Sequence, residues 1–169
     1  MKRALRHLLR CAGRAVWLAG ELFFTAVGMA FTSTFRRGVA PTLARARGMQ
    51  RHARRLFRVV GGEVSVQGRV PTEGLLVSNH LSYLDILVLG SITPTVFVAK
   101  SEVRRWPVLG WLTPQAGTLF IQRDKRSDVA RVNEQTAHVL DAGVLVVIFP
   151  EGTSSDGREV LPFKSSLLE

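Results

Sequence analysis

The sequence predicts an α/β fold, a mostly parallel sheet flanked by helices, preceded by an N-terminal membrane-associated helical pair. Apolar runs at residues 75–77, 95–99, 118–122 and 144–149 have the length of strands, and helix-length segments lie between them. Strands that alternate with helices pair in parallel and are covered on both faces. A long apolar segment and most of the positive charge share residues 1–60.

The distribution of charge separates this arm from the rest of the chain. Residues 1–60 hold 13 Lys and Arg against Glu21 alone, a balance of +12. This leaves 10 of the 23 basic and 12 of the 13 acidic residues for residues 61–169, a balance of −2. A basic surface over a whole domain would indicate nucleic acid. Positive charge beside an apolar segment instead predicts membrane lipids as partners, and no nucleic acid.

Residues 15–35 and 41–60 are predicted to form two membrane-anchoring helices. The first has Glu21 as its one charge and would be roughly 31 Å long, about the thickness of a bilayer's hydrocarbon core. It could span the membrane or lie in the interface. The second has apolar residues on one side and arginines on the rest, which is typical of helices that lie on anionic lipid.

Gly61 and Gly62 mark the start of the α/β domain, residues 61–169. Alternating apolar and polar residues at 64–70 predict a half-buried strand near a sheet edge. The other predicted elements are a buried strand at 75–77, a helix from Asp85 to about Gly90, a strand at 95–99, helical pieces at 102–117 broken by Pro107 and Pro114, a strand at 118–122, a helix at 127–142 capped by Ser127, and a central strand at 144–149.

Asn79 and His80 follow the first of these strands, and Asp85 comes five residues after the histidine. Within one straight helix, five steps of 100° would place His80 and Asp85 about 140° apart, so they meet only if the chain turns between them. The carboxylate would then accept the proton of one imidazole nitrogen and leave the other basic, which is the arrangement of a general base. The alternative is a helix N-terminus with Ser82 as the cap and Asp85 beside the helix dipole.

Lys100, Arg123 and Glu151 also stand at or just past strand ends, so a parallel sheet would present them on the same edge as the histidine. Arg123 can hold a phosphate with its planar guanidinium, or it is an exposed member of a charged cluster. Lys100 either assists the phosphate or is solvated. Glu151 is expected to position Arg123 or a substrate hydroxyl, while Gly152 and Thr153 offer backbone N–H groups, or this stretch is an ordinary turn.

Three blocks, taken in order, resemble the first three motif blocks of the glycerolipid acyltransferases, most closely the bacterial 1-acylglycerol-3-phosphate acyltransferases. They are Asn79-His80-x-x-x-x-Asp85, Phe120-Ile121-Gln122-Arg123 and Phe149-Pro150-Glu151-Gly152-Thr153-Ser154. The resemblance runs from about Val64 to the end of the sequence. It implies that the second and third blocks hold the glycerophosphate acceptor, and that the N-terminal helices dock the enzyme on the membrane.

We therefore predict transfer of a fatty acyl group from acyl-CoA or acyl carrier protein to lysophosphatidic acid, giving phosphatidic acid. His80 would be the base and Asp85 its orienting partner, with no cofactor and no metal. The predicted location is the inner (cytoplasmic) membrane, with the active site on the cytoplasmic side. Two alternatives from other classes are a metal-dependent hydrolase with His80 and Asp85 as ligands and a non-catalytic membrane-docking module.

The sequence departs from the family pattern in two places. Ser154 stands where many members have arginine, and residues 165–167 stand where they have a glycine after Phe-Lys. The acceptor could therefore be another lysolipid, such as lyso-ornithine lipid. After the strand at 144–149 only residues 158–161 and the start of a helix at Ser165 remain to cover it, so we expect a truncated α/β domain with exposed apolar surface and a free strand edge.

Overall fold

The computed structural model of this chain describes residues 2–35 and 40–164, so the helix predicted to start at Ser165 lies outside the described residues. The elements in chain order are α1 (Lys2–Phe35), α2 (Ala40–Val59), β1 (Leu75–Val77), α3 (Leu84–Ile92), β2 (Thr95–Lys100), a 3-10 helix (Ser101–Arg105), α4 (Leu109–Gln115), β3 (Leu119–Ile121), α5 (Arg126–Asp141) and β4 (Leu145–Ile148).

The four strands form one parallel sheet in the order β1-β4-β2-β3. β4 lies inside the sheet, where it pairs with β1 on one side and with β2 on the other. All four residues of β4 are buried, because helices cover both of its faces. The predicted fold class and the predicted central strand are therefore confirmed.

The core lies on both faces of β4. Val146 and Ile148 pack on one face with Val139 of α5, and Leu145 and Val147 pack on the other face with α3. Each such side chain contributes about 1.5–3 kcal/mol when it is fully removed from water. This packing fixes the carboxyl end of β4, from which the third sequence block begins.

Two strand predictions are corrected by the structure. Residues 64–70 form no strand, because Gly68 has a φ of +92° that interrupts an extended backbone and the segment pairs with no neighbour within the described sheet. The strand β1 is present but is not buried. Leu75 is 45% exposed and Val77 is 38% exposed, because β1 is an edge strand that pairs with β4 alone.

The start of α5 also differs from the prediction. The helix begins at Arg126, and its N-terminal flanking residue Lys125 makes no capping bond through its side chain, so Ser127 is not the cap. Instead the Asp128 carboxylate accepts a hydrogen bond of 2.6 Å from the backbone N–H of Gln122. A charged acceptor in the first helical turn binds a backbone donor more strongly than a hydroxyl does. Asp128 thereby ties α5 to the end of β3.

The helix α2 packs directly on the α/β part of the chain. Ala46 and Ala53 are fully buried, and Ala46 belongs to the same apolar cluster as the sheet residues. Arg54 Nε donates to the Ser91 carbonyl at 2.6 Å, which attaches α2 to the last turn of α3. The predicted division at residue 60 therefore separates two segments that share a core.

Glu21, the charge within the apolar part of α1, faces α2. Its carboxylate lies 3.5 Å from His52 Nδ1 and 3.6 Å from Arg55 Nη1, and Thr25 Oγ1 lies 2.8 Å from the same His52 nitrogen. Burial lowers the pKa of His52, and the nearby Glu21 carboxylate only partly offsets this effect. The polar contacts of α1 are thus directed inward, toward its partner helix.

Much of the apolar surface of α1 is exposed. Trp17 is 72% exposed, Phe24 is 66% exposed, and Val16 and Phe23 are exposed to a similar extent. Within the described ranges, no helix combines the length and the apolarity needed to cross a bilayer.

Candidate active site

The polar residues of the three sequence blocks meet at the carboxyl edge of the sheet. His80 follows β1 and Glu151 follows β4, and these two strands are neighbours. Lys100 ends β2 and Arg123 follows β3, which are also neighbours. The strand order therefore creates two subsites, one around His80 and the other around Arg123.

His80 and Asp85 form the predicted pair. His80 Nδ1 lies 2.9 Å from Asp85 Oδ2, and the same oxygen accepts the backbone N–H groups of Leu81 at 2.7 Å and of Ser82 at 2.9 Å. The chain turns between the two residues, as the spacing requires. The capping alternative is also partly present, because Ser82 Oγ accepts the N–H of Leu84 at 3.1 Å.

The charge on Asp85 is stabilised. Partial burial opposes ionisation, but hydrogen bonds from the Ser82 N–H, the His80 ring and the Leu81 N–H outweigh it and hold the pKa of Asp85 below its ordinary value. A carboxylate can only accept hydrogen bonds, so the proton of a neutral His80 ring lies on Nδ1. Nε2 then carries the free lone pair.

Aromatic and backbone contacts fix the His80 ring. It stacks on Phe149 with ring centroids 4.2 Å apart, and Tyr83 approaches it edge-on at 6.4 Å. The backbone N–H of His80 donates to Glu151 Oε2 at 3.2 Å, and the backbone carbonyl of His80 accepts the N–H of Ser155 at 2.9 Å. Glu151 of the third sequence block and Ser155, which follows the block, therefore hold the histidine backbone from both sides.

The contacts of Glu151 differ from the prediction that its carboxylate positions Arg123. Its carboxylate is 2% exposed, and its second oxygen accepts the N–H of Leu161 at 3.1 Å. Both oxygens thus bind backbone donors, and among the described residues Glu151 makes no ion pair with Arg123. The backbone N–H groups of His80 and Leu161 occupy the carboxylate, although Arg123 lies against the next residue, Gly152. Gly152 was predicted to offer its backbone N–H to a ligand. This N–H instead donates to the Phe149 carbonyl at 3.1 Å.

Arg123 lies in a cavity of about 160 Å³ together with Lys100, Glu102 and Lys164. Its Nε and Nη1 atoms are buried, and no described residue accepts a hydrogen bond from either atom. Burial lowers the pKa of Arg123, and the Glu102 carboxylate partly offsets this effect. A planar guanidinium with unsatisfied donors is a group that binds oxyanions in proteins.

Gly152 makes room for Arg123. Its φ of +75° is one that side-chain-bearing residues rarely adopt, and a Cβ atom at this position would overlap Arg123 Nη1. The residues Asn79 and Thr153 are exposed on the same edge, and the Asn79 carbonyl accepts the Ser78 hydroxyl at 2.9 Å. Sequence reasoning missed Lys164, whose one signal is its place in the Phe163-Lys164 pair after the third block.

An apolar cavity of about 360 Å³ adjoins the His80 subsite, a volume in the range of small-molecule sites. Phe149 and Tyr83 line it where it approaches the His80 ring. Its other walls come from α1, α2, α3, β2 and α4, and include Leu22, Leu56 and Leu112. Phe149 thus contacts both the His80 ring and the apolar cavity, while Gly152, which follows the Glu151 that binds the His80 backbone, packs against Arg123 of the basic cavity. Within the described ranges, no group of three or more His, Cys, Asp or Glu residues is placed to hold a metal ion.

Several known proteins are similar to this chain. A lyso-ornithine lipid O-acyltransferase of Pseudomonas aeruginosa is 42% identical over 115 residues, which are 68% of this chain and 44% of that protein. A 1-acyl-sn-glycerol-3-phosphate acyltransferase of Neisseria gonorrhoeae is 40% identical over 99 residues, 59% of this chain and 39% of that protein. The chain thus spans less than half the length of these two relatives.

Structure comparison agrees with sequence comparison. The crystal structure of PlsC, the 1-acyl-sn-glycerophosphate (LPA) acyltransferase of Thermotoga maritima, matches with a TM-score of 0.69 and 27% sequence identity. The match covers 98% of this chain and 69% of the Thermotoga chain. A sequence model of the Acyltransferase family matches residues 59–169, which include all three blocks. The chain therefore belongs to the acyltransferase family, as the three sequence blocks predicted.

Proposed function

We propose that this chain transfers a fatty acyl group from a thioester, acyl-CoA or acyl carrier protein, to the free hydroxyl of a lysolipid. The observation that carries the proposal is the His80–Asp85 pair, whose ring stacks on a wall residue of the apolar cavity and which shares the carboxyl edge of the sheet with Arg123, two of whose donors have no acceptor among the described residues. Such a site suits an acceptor that has both an acyl chain and an anionic head group. The names of the relatives support the same class of reaction.

In the proposed reaction, the acceptor hydroxyl donates a hydrogen bond to His80 Nε2. The ring removes this proton as the oxygen attacks the thioester carbonyl, and Asp85 stabilises the imidazolium that forms. The tetrahedral intermediate then expels the thiolate, which takes a proton from the imidazolium. The products are the acylated lipid and a free thiol, and no covalent acyl-enzyme is required.

The basic cavity is the proposed site for the acceptor head group. Arg123 Nε and Nη1 would donate to phosphate oxygens, and Lys100 and Lys164 would add positive charge on the same side. Asn79 and Thr153 lie on the same edge and are proposed to contact the substrate. Glu151 and Gly152 would act indirectly, the first by holding His80 and the second by leaving space for Arg123.

One feature of this cavity favours a second acceptor, lyso-ornithine lipid. The Glu102 and Asp124 carboxylates line the cavity with the three cations, and a bond from its own backbone N–H lowers the pKa of Glu102 despite the opposing effect of burial. An ornithine head group carries an ammonium and a carboxylate, so a mixed-charge site suits it. Lysophosphatidic acid needs the cations alone.

The apolar cavity is the proposed site of an acyl chain, because its lining leads directly to the ring that stacks on His80. We also propose that α1 and α2 attach the chain to the surface of the inner membrane. The exposed aromatic residues of α1 would enter the interface, and the arginines of α2 would bind anionic lipid. Acyl-CoA and acyl carrier protein are cytoplasmic donors, so the site would face the cytoplasm.

The test is an assay of the purified chain with acyl-CoA and acyl carrier protein against a panel of lysolipids. The His80→Ala variant should lose transfer to every acceptor while keeping its affinity for vesicles. Near-normal turnover by this variant would exclude the mechanism, and absence of transfer by the unmodified chain would exclude the activity for this chain. The Glu102→Gln variant separates the acceptors, because it should impair transfer to lyso-ornithine lipid and spare transfer to lysophosphatidic acid.

A further inference from the structure

Four apolar side chains of the α/β part both line the apolar cavity and remain exposed. Tyr83 is 57% exposed, Leu84 is 52%, Trp106 is 39% and Val108 is 58%. A side chain that does both lies at the mouth of the cavity. Trp111, which is 45% exposed, lies in the first turn of α4, where its N–H donates to the Val108 carbonyl at 3.2 Å. We call these five residues the aromatic rim.

The aromatic rim is held in a fixed arrangement. The rings of Tyr83 and Trp106 pack edge to face, with centroids 5.5 Å apart. Val108 has a φ of +63°, a conformation in which a β-branched residue is strained. Strain of this kind costs on the order of 1–3 kcal/mol and persists where the surroundings compensate for it. Here the Val108 carbonyl accepts the N–H groups of Trp111 and Leu112 at the start of α4, so these bonds hold the residue in place while its apolar side chain stays exposed.

The residues beside the aromatic rim indicate which partner its exposed side chains contact. Arg104 and Arg105 directly precede Trp106 and are exposed, and the Arg104 guanidinium lies 4.3 Å above the centre of the Phe120 ring. Trp and Tyr near Arg side chains are typical of the interface between lipid acyl chains and head groups. The positive charges match anionic lipids, whereas an apolar protein partner would have no need of them.

The aromatic rim is also continuous with α1. Leu18 and Leu22 of α1 line the same cavity whose mouth the rim surrounds. The exposed aromatic residues Trp17 and Phe24 come from the same stretch of this helix. A membrane surface that contacts α1 would therefore lie next to the cavity mouth.

We propose that the aromatic rim is a lipid-binding surface of the α/β part itself, seated in the interface of an anionic membrane. The inference rests on the proposed membrane attachment through α1 and α2, and adds a second contact to it. The mouth of the apolar cavity then opens toward the acyl chains of the bilayer. A lipid chain can enter the cavity without crossing water.

Tryptophan fluorescence tests the inference, because the chain has three tryptophans and two of them belong to the aromatic rim. The Trp17→Phe variant leaves Trp106 and Trp111 as the reporters. The full chain is bound to vesicles of phosphatidylethanolamine and phosphatidylglycerol whose acyl chains are brominated. We expect the rim fluorescence to be quenched by at least half relative to unbrominated vesicles. Vesicle binding without quenching would overturn the inference and leave attachment through the helices intact, whereas absence of vesicle binding would overturn both.

A pair of valine variants provides the matched control. Val108→Gly removes the apolar side chain and relieves its backbone strain, so the melting temperature should stay the same or rise while the affinity for anionic vesicles falls roughly tenfold. Val66 is 48% exposed and lies outside the aromatic rim. The Val66→Gly variant should bind vesicles like the unmodified chain. Equal affinities for Val108→Gly and Val66→Gly would contradict the proposal.

Discussion

Replacing Asp85 with asparagine tests the charge behind the proposed base, His80, separately from its geometry. One Asp85 oxygen accepts three donors, from the His80 ring and from the Leu81 and Ser82 backbone. Two of these donors are backbone groups that cannot change their direction. They will bind the amide oxygen of the substituted side chain in the same place, so His80 Nδ1 keeps its acceptor and its proton. The variant thus loses the negative charge and retains the tautomer.

The expected loss follows from this geometry. Two unit charges about 4 Å apart attract each other by about 4 kcal/mol at an effective dielectric constant of about 20. Removing that attraction from the imidazolium in the transition state lowers kcat about 10³-fold, since each 1.36 kcal/mol is a factor of about ten. A reversed tautomer would cost about 10⁴-fold, as in the serine-protease triad. Weaker hydrogen bonds should also lower the free energy of unfolding by about 1–3 kcal/mol.

The assay is single-turnover acyl transfer with saturating donor and acceptor, combined with thermal melting. Asp128→Asn is the matched control, because Asp128 also accepts a backbone N–H in the first turn of a helix but lies outside the proposed site. It should keep kcat within a few-fold of the unmodified chain. The pKa of Asp85 is lowered by folding, so its stabilising effect is present above the unfolded pKa of about 3.9 and is lost as the pH falls through the folded value. Turnover near normal in a well-folded Asp85→Asn variant would refute this account.

Three further predictions concern Gly152, Glu151 and His52. Gly152→Ala should displace Arg123 and lower kcat/KM for the acceptor about 10- to 100-fold, because charged hydrogen bonds contribute about 1.5–3 kcal/mol. Gly68→Ala is the control, because Gly68 shares the positive φ and a Cβ there meets no atom within 4 Å, so this variant should lower stability alone. Glu151→Gln places an amide NH₂ against one of the two backbone donors that Glu151 binds. We expect kcat to fall about tenfold while the KM for the acceptor stays nearly constant. A change confined to KM would indicate direct contact with the substrate. The pKa of His52 is lowered by folding, so the unfolded chain binds the proton at a higher pH than the folded chain does. Stability should therefore fall as the pH drops below about 6.5. Equal melting of the unmodified chain and of His52→Gln from about pH 7.5 to 5.5 would contradict this.

The sequence predicted the sheet and the His80–Asp85 pair because both depend on local patterns. Apolar runs of strand length indicate parallel strands, and a spacing of five residues allows only a turn geometry for the contact. The partners of Glu151 are not local, because one of its backbone donors, His80, lies 71 positions away. Residues 64–70 alternate like a strand but form none, since Gly68 interrupts the extended backbone and the segment pairs with no strand of the described sheet.

The N-terminal arm shows a second limit of sequence patterns. Charge and apolarity predicted membrane-anchoring helices but did not show which of their residues pack on the α/β part, where the small residues Ala46 and Ala53 are buried. An alanine carries little sequence signal, and its burial depends on the close approach of another helix. Deleting residues 1–60 would therefore uncover part of the core as well as remove the proposed anchor. Loss of vesicle binding in that truncation would not by itself identify the membrane-contacting residues.

The bond between Glu151 and the His80 backbone joins residues that are 71 positions apart, which bears on when the site is assembled during synthesis. A ribosome makes the histidine and its carboxylate partner first, and the loop that holds the histidine backbone emerges much later. A growing chain could thus contact lipid through α1 before its base is fixed in place. The proposed anchor would therefore be complete well before the proposed active site. A chain still being synthesised would attach to the membrane without consuming acyl donors.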